Sequence, residues 1–169
     1  MNGTEAGSAV HDNFDKISII GIGEYRVGNG KMSTIGLGSC VALILHDTDH
    51  NIGALAHVML PCSNGRSNRP AMYADTVIDL LISDLRRSGS RESAIISKLV
   101  GGASMFRTLS TTLNVGEKNI EILTAGLRDR QLPIRGREIG GDIGRTVLYD
   151  PTEGGKVWIK TANGPPREI

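Results

Sequence analysis

Cys40 and His57 are residues whose types and spacing could support nucleophilic chemistry. Cys40 follows the glycine-rich stretch TIGLGS and precedes the apolar segment VALILHD, and His57 lies in a second apolar segment, NIGALAHVML. A free thiol has a pKa of about 8.5, and a neighbouring imidazole activates it by taking its proton. Backbone N–H groups near Gly38 and Ser39 could bind the oxyanion that forms when sulfur attacks a carbonyl. These residues indicate that a thiolate attack on a carbonyl group is one function to consider for this pair.

A β-hairpin would bring the two side chains together. The apolar segments 41–47 and 51–60 are separated by the polar turn-forming cluster DTDHN, which predicts two antiparallel strands. A turn centred near residues 48–49 makes paired residue numbers sum to about 97 or 98, with Cys40 beside His57 or Val58. A slip of one residue moves the two side chains to opposite faces of the sheet, and the sequence leaves the register open.

Cys40 and His57 could also have structural or ligand-binding roles instead of a catalytic one. A buried cysteine is usually a small hydrophobe, and a lone histidine in a strand usually has its partners in the core. Cys40, His46, His57 and Cys62 could bind zinc by residue type, but they lack paired ligand spacing. The stretch GLGSCV has valine at the third glycine position of a dinucleotide fingerprint, and GGASM and GGDIGR lack the Lys–Ser/Thr of a P-loop. We therefore expect no metal and no cofactor.

The composition favours one soluble domain. Hydrophobic residues make up 39% of the 169 residues, which is enough for a core, and the net charge of +1 with 4% aromatics gives no reason to expect nucleic acid or an anionic membrane as a partner. No apolar run reaches the ~18 residues of a membrane helix, and the N-terminus has no signal-peptide pattern. With only two cysteines, we expect a cytoplasmic protein with reduced thiols and no membrane insertion.

The chain divides into a flexible arm at 1–15, a catalytic domain at 16–162 and a frayed tail at 163–169. Apolar residues from Tyr73 to Leu85 recur at helical spacing, and a second helix begins at Asn114. Asn119 falls on the apolar face of that second helix, where a buried amide needs hydrogen-bond partners. The segments 17–27 and 94–100 are predicted to be strands, while TVLYD and KVWIK flank PTEGG as a second hairpin.

Several stretches also carry a family resemblance, namely TIGLGSCVALILHD, GALAHVMLP, YADTVIDLLISDL, KLVGGASMF, NVGEKN and GGDIGR. They occur in the family order, and with them the chain resembles the CheD family of chemoreceptor glutamine deamidases. The resemblance implies an α+β fold: a single-domain layered α/β sandwich with a mixed, largely antiparallel sheet, similar to the deamidating domain of cytotoxic necrotizing toxins. It places the active-site Thr, Cys and His of the family at Thr34, Cys40 and His57.

The implied activity is deamidation of glutamine to glutamate on methyl-accepting chemoreceptors, with glutamyl methylesterase activity in some members. The resemblance also implies, in some lineages, a complex with a CheC-type phosphatase. In the expected mechanism Cys40 forms a thioester, His57 transfers the protons, and Thr34 orients the imidazole. Two alternatives stay open: a regulatory module that chiefly binds the phosphatase, and a thiol protease or other amidase with the same three residues.

Overall fold

The computed structural model describes residues 16–104 and 114–169, and these form three layers. Helices α1 (Ala74–Arg87) and α2 (Val115–Asp129) cover one face of a five-stranded central sheet, and a five-stranded outer sheet covers the other face. This arrangement confirms the predicted layered α+β class. The predicted arm at 1–15 lies outside the described residues.

The central sheet carries the predicted hairpin at its middle, with the strand order β2-β5-β4-β6-β7. Strands β4 and β5 are apolar because both of their faces are buried, one beneath the helices and one beneath the outer sheet. The strands are β2 (Tyr25–Gly28), β4 (Val41–Asp47), β5 (Ile52–Val58), β6 (Ile95–Gly101) and β7 (Ile134–Ile139). Only the β6–β7 pair is parallel, with α2 between these strands in the chain.

The outer sheet has the strand order β1-β3-β8-β9-β10. Its strands are β1 (Ser18–Ile19), β3 (Met32–Leu37), β8 (Arg145–Asp150), β9 (Lys156–Thr161) and β10 (Arg167–Glu168). The antiparallel pairing of β8 with β9 confirms the second predicted hairpin. The core between the two sheets is apolar and includes Met32, Ile44, Leu55, Val147 and Ile159.

Helix α1 begins and ends close to the predicted residues, and α2 begins where it was predicted to begin. Helix α1 buries a continuous apolar stripe against the central sheet and is followed by Gly89 in the left-handed conformation, with φ of 94°. At the start of α2, the Asn114 side chain accepts a hydrogen bond from Glu117 N and donates one to Glu117 Oε2. One orphan backbone N–H at this helix end is thereby capped, as the sequence spacing predicted, although the Glu117 carboxylate accepts from the Asn114 side chain and not from its backbone N–H.

Two local predictions were wrong, and one strand was not predicted. The segment 17–27 is not one strand, because β1 and β2 belong to different sheets and a turn containing Gly23 at φ of 70° separates them. Strand β3 was not predicted because a bulge after Thr34 and a left-handed Gly36 interrupt its apolar alternation. Residues Arg167 and Glu168, predicted to fray, pair with β9.

The register of the first hairpin also differs from the prediction. Val41 pairs with Val58 and Asp47 with Ile52, so the paired numbers sum to 99 rather than 97 or 98. The Asp47 carboxylate accepts hydrogen bonds from the backbone N–H groups of Asp49 and His50. This side-chain-capped turn occupies residues 48–51, and it moves the centre of the hairpin by up to one residue.

In the part of the chain that the structure describes, neither helix is long and apolar enough to cross a membrane.

Candidate active site

Thr34 and His57 meet across the interface between the two sheets. Thr34 lies on β3 of the outer sheet and His57 on β5 of the central sheet, and both are at most 1% exposed. The Oγ1 atom of Thr34 is 2.7 Å from Nδ1 of His57 and 2.8 Å from the carbonyl oxygen of Ile20. The backbone of His57 is fixed as well, since its N–H donates to Glu24 O and its carbonyl accepts from Gly23 N.

These bonds determine the tautomer of the imidazole. A threonine hydroxyl has one hydrogen, and the Ile20 carbonyl can only accept, so the Thr34 hydroxyl donates to Ile20. The bond between Thr34 and His57 must therefore have the ring as its donor, with the proton on Nδ1. The Nε2 atom is left with a free lone pair, and it is buried without a hydrogen-bond partner among the described residues. This nitrogen can accept a proton.

Cys40 lies on the same sheet face as His57. Its carbonyl accepts from Gly102 N at 2.8 Å, which continues the β4–β6 register beyond the Val41–Gly101 pair, so Cys40 follows the path of the strand. Ala42 is directly opposite His57, and Cys40 is two residues before Ala42 on the same face. Cys40 and His57 are thus diagonal neighbours, a relationship in which Cα atoms are about 7–8 Å apart. The half-buried Cys40 side chain packs against the core between the sheets.

Burial affects the protonation of both groups. It raises the pKa of the Cys40 thiol. It also lowers the pKa of the His57 imidazole, although a hydrogen bond with the Ile20 backbone opposes that shift. Both shifts disfavour the charged forms, so the resting pair at neutral pH is a neutral thiol and a neutral imidazole. The arrangement suits a base that takes the thiol proton during attack.

The loop before Cys40 is held by contacts that require glycine at Gly101. A Cβ atom at Gly101 would lie 2.3 Å from the carbonyl oxygen of Cys40, and the φ of this residue is 117°. The carbonyl of Gly38 accepts from Ala103 N at 2.8 Å, next to the bond from Gly102 to Cys40. The motif KLVGGAS therefore positions the backbone around Cys40.

The two backbone candidates for the oxyanion site differ in their bonding. The N–H of Gly38 donates to the carbonyl of Gly36 at 3.0 Å. In the described ranges, the N–H groups of Ser39 and Cys40 have no acceptor. Among the described residues, these two N–H groups are therefore the donors of the loop that could bind an oxyanion.

Asn119 has hydrogen-bond partners for one of the two polar groups of its amide. It is fully buried, and its Nδ2 donates to the carbonyls of Ser39 at 3.2 Å and Met59 at 3.1 Å, whereas its Oδ1 has no partner among the described residues. The apolar periodicity of the helix indicated that this amide needs partners. It gave no signal for which carbonyls these are, because both belong to distant segments of the chain. The sequence likewise gave no signal that Ile20, whose carbonyl determines the tautomer of His57, belongs to the site.

The remaining candidate residues form none of the hydrogen bonds described for Thr34 and His57. Cys62 is exposed. His46 is buried further along β4, where its Nδ1 is 2.9 Å from the Tyr149 hydroxyl. Among the described residues, no group of three His, Cys, Asp or Glu side chains could hold a metal ion.

Comparisons with known proteins give consistent results. A family model described as CheD chemotactic sensory transduction matches residues 59–161. The chemoreceptor glutamine deamidase CheD of Thermotoga maritima is 39% identical over 148 residues, which cover 86% of this chain and 92% of that protein. A probable chemoreceptor glutamine deamidase CheD of Archaeoglobus fulgidus is 40% identical, with 86% of this chain and 94% of that protein covered.

Among solved structures, the hypothetical protein YfiH of Bacillus licheniformis matches with a TM-score of 0.40 and 13% identity, covering 76% of this chain and 61% of that chain. A likeness of this size says nothing about activity. The family model begins after Thr34, Cys40 and His57, so it does not itself assign their roles. It nevertheless matches more than half of the chain, and the two relatives cover most of it at more than one third identity. On these grounds, the chain belongs to the CheD family.

Proposed function

We propose that the chain deamidates glutamine side chains of methyl-accepting chemoreceptors to glutamate by covalent catalysis. The names of its relatives supply the substrate. The observation that carries the mechanism is the chain of hydrogen bonds from Ile20 through Thr34 to His57, which leaves Nε2 of the imidazole free on the sheet face that also carries Cys40.

In the first half of the reaction, Nε2 of His57 takes the Cys40 thiol proton as sulfur attacks the side-chain amide carbon of glutamine. The amide oxygen becomes an oxyanion, for which the N–H groups of Ser39 and Cys40 are the nearest candidates with an unused hydrogen. The tetrahedral intermediate collapses, and the carbon–nitrogen bond breaks. The imidazolium gives its proton to the leaving nitrogen, so ammonia departs and a thioester remains.

In the second half, Nε2 of His57 takes a proton from water, and the hydroxide attacks the thioester carbon. The new oxyanion collapses and expels the Cys40 thiolate, which recovers its proton from the imidazolium. The sum is one amide and one water converted into one carboxylic acid and one ammonia. The enzyme returns to its neutral thiol and neutral imidazole, the state that the pKa shifts of both groups favour.

The proposal is tested by incubating the chain with receptor cytoplasmic fragments and mapping their peptides by mass spectrometry. We expect a gain of about one dalton at defined glutamines, with one ammonia released per site, because OH replaces NH2. Cys62→Ala is the matched control and should retain most of the activity, since this thiol is exposed and forms none of the hydrogen bonds that hold His57. Shortened peptides would instead indicate a protease. Unchanged receptor fragments would reject the proposed function.

Thr34→Val should lower kcat/KM by ~10 to 1000-fold. Valine keeps the β-branched shape but removes the hydroxyl, so Nδ1–H loses its acceptor and the ring can adopt the tautomer in which Nε2 is protonated and cannot act as base. A neutral hydroxyl stabilises imidazolium less than a carboxylate does, so the loss should be smaller than that for Cys40. Turnover and melting temperature are measured together.

Thr34→Ser is the matched control for this substitution, because it keeps the hydroxyl and should preserve most of the activity. Turnover equal to wild type in a folded Thr34→Val variant would reject the orienting role. Activity lost only in proportion to the folded fraction would assign Thr34 to the stability of the fold alone.

Two finer points of the proposal concern a second substrate and a partner. A glutamyl methyl ester would form the same thioester and release methanol instead of ammonia, and methanol measurement on methylated receptor fragments tests this activity. A CheC-type phosphatase is the proposed protein partner. Titration of such a phosphatase with the intact chain tests the complex, and no binding at micromolar concentration would reject it.

A further inference from the structure

The side-chain amide of Asn119 connects the two backbone segments that carry Cys40 and His57. Ser39 is the residue before Cys40, and Met59 is two residues after His57; the carbonyls of both accept from Nδ2 of Asn119. Because both neighbours are carbonyl oxygens, only the NH2 group of the amide can face them. One fully buried donor group thus fixes the distance between the start of β4 and the end of β5.

The bond to Ser39 also affects the N–H of Cys40, because the two groups belong to one peptide unit. Donation of a hydrogen bond to the carbonyl of a peptide polarises the unit and strengthens its N–H as a donor. The N–H of Cys40 has no acceptor among the described residues. A substrate oxyanion at this position would therefore meet a peptide that Asn119 both holds and polarises.

The position of Asn119 relative to Cys40 is set by close backbone packing. The first turn of α2 lies directly on Gly102, since a Cβ atom at Gly116 would be 2.7 Å from the carbonyl oxygen of Gly102. The N–H of Gly102 in turn donates to the carbonyl of Cys40 at 2.8 Å. Helix α2 is therefore anchored on the residue that holds the backbone of Cys40, which leaves little freedom for the amide to move.

We propose that Asn119 is a positioning residue for the nucleophile. It holds the Ser39–Cys40 peptide so that the Cys40 N–H can bind the oxyanion and the Cys40 thiol stays on the sheet face that carries His57. This inference adds a member from α2 to the Cys–His–Thr set. It rests on the proposed function for its kinetic test, but its effect on the reactivity of the thiol can be measured without any receptor.

Asn119→Leu removes the hydrogen-bond donor at similar side-chain volume and should lower kcat by ~10 to 100-fold with little change in KM. This loss is smaller than that expected for removal of an oxyanion donor itself, because Asn119 acts through the Ser39–Cys40 peptide. Asn114→Ala is the matched control. It removes the cap of the same helix without touching Ser39 or Met59, so it should lower the melting temperature and leave kcat unchanged. An equal loss of kcat in Asn114→Ala would overturn the proposal.

The rate of Cys40 alkylation by iodoacetamide is the measurement that needs no substrate, with the Cys62 peptide as an internal reference in the same sample. Asn119→Leu should slow alkylation of Cys40 by ~3 to 10-fold at neutral pH and leave that of Cys62 unchanged, because the displaced thiol loses its base. If the wild type does not deamidate receptors but Asn119→Leu still slows the alkylation of Cys40, the proposed function is rejected and the positioning role is supported. Wild-type alkylation and wild-type kcat in folded Asn119→Leu would overturn the positioning role.

Asn119→Asp keeps the shape of the side chain and provides the test if the leucine variant does not fold. Its carboxylate cannot donate to Ser39 or Met59, whereas the protonated acid can donate one hydrogen. Burial raises the pKa of such a carboxyl, so its activity relative to wild type at the same pH should rise as the pH falls. A ratio that is close to one and independent of pH would contradict the proposal.

Discussion

Cys40→Ala is expected to lower deamidation by at least ~10⁴-fold, since in the proposed mechanism the sulfur forms the covalent bond to the substrate and no other nucleophile is proposed in the site. The fold should be retained. The side chain is half-buried at the edge of the core between the sheets, and alanine fills most of the same space. Ammonia release and receptor peptide masses measure the loss, and the melting temperature checks the fold.

The same variant separates the proposed enzyme from a regulatory binding module. If the chain acts chiefly by holding a CheC-type phosphatase, Cys40→Ala should behave like wild type in every assay of the phosphatase, and wild type should show no turnover on receptors. Turnover in Cys40→Ala close to that of wild type would rule out covalent catalysis by this residue. Loss of activity in Cys62→Ala instead would assign the reaction to the other cysteine.

The hairpin shows how far the sequence could predict the site. Apolar segments and a polar turn were enough to pair β4 with β5, because strands buried on both faces need hydrophobic runs. The register depended on how the Asp47 carboxylate caps the turn, a contact that turn composition does not specify. The observed sum of 99 differs by two from the register that placed Cys40 opposite His57. An even slip keeps both side chains on one face and makes them diagonal neighbours.

Contacts between distant segments could not be predicted from local patterns. Strand β3 is short and bulged, so its apolar spacing did not identify it, although it brings Thr34 to His57. Asn119 was recognisable as a buried amide from its helical face, whereas its acceptors at Ser39 and Met59 depend on how α2 packs over the loop. Positions of side chains along single elements were thus predictable, and the pairing of polar groups between layers was not.

His57→Gln is the second substitution with a large expected effect, a loss of kcat of ~10³ to 10⁵-fold. Glutamine has a similar length and can still donate to Thr34, but its amide cannot take the thiol proton or return it to the leaving nitrogen. His57→Ala removes the contact with Thr34 as well and should be no more active than His57→Gln. Comparable turnover in wild type and a folded His57→Gln variant would contradict the role of His57 as base.

The pH dependence of kcat/KM also tests the role of His57, because the pKa shifts predict on which side of neutral pH the rate falls first. Wild-type kcat/KM should fall on the acid side below the ordinary histidine pKa of about 6.5, because burial lowers the pKa of His57. It should fall on the alkaline side only above about 8.5, because burial raises the pKa of Cys40 and the neutral pair is the active form. Burial of neutral His57 also makes the fold less stable as pH falls below about 6.5, so the folded fraction is measured at each pH.

The His57→Gln variant should lose this bell shape. Without a base, attack requires a thiolate that forms by ionisation of Cys40 alone, so the residual rate should rise with pH until the raised pKa of the thiol is reached. The acid limb of the wild type disappears because the group that causes it is gone. An acid limb that persists unchanged in His57→Gln would show that a group other than His57 controls the proton, and the proposed mechanism would then be wrong at its central step.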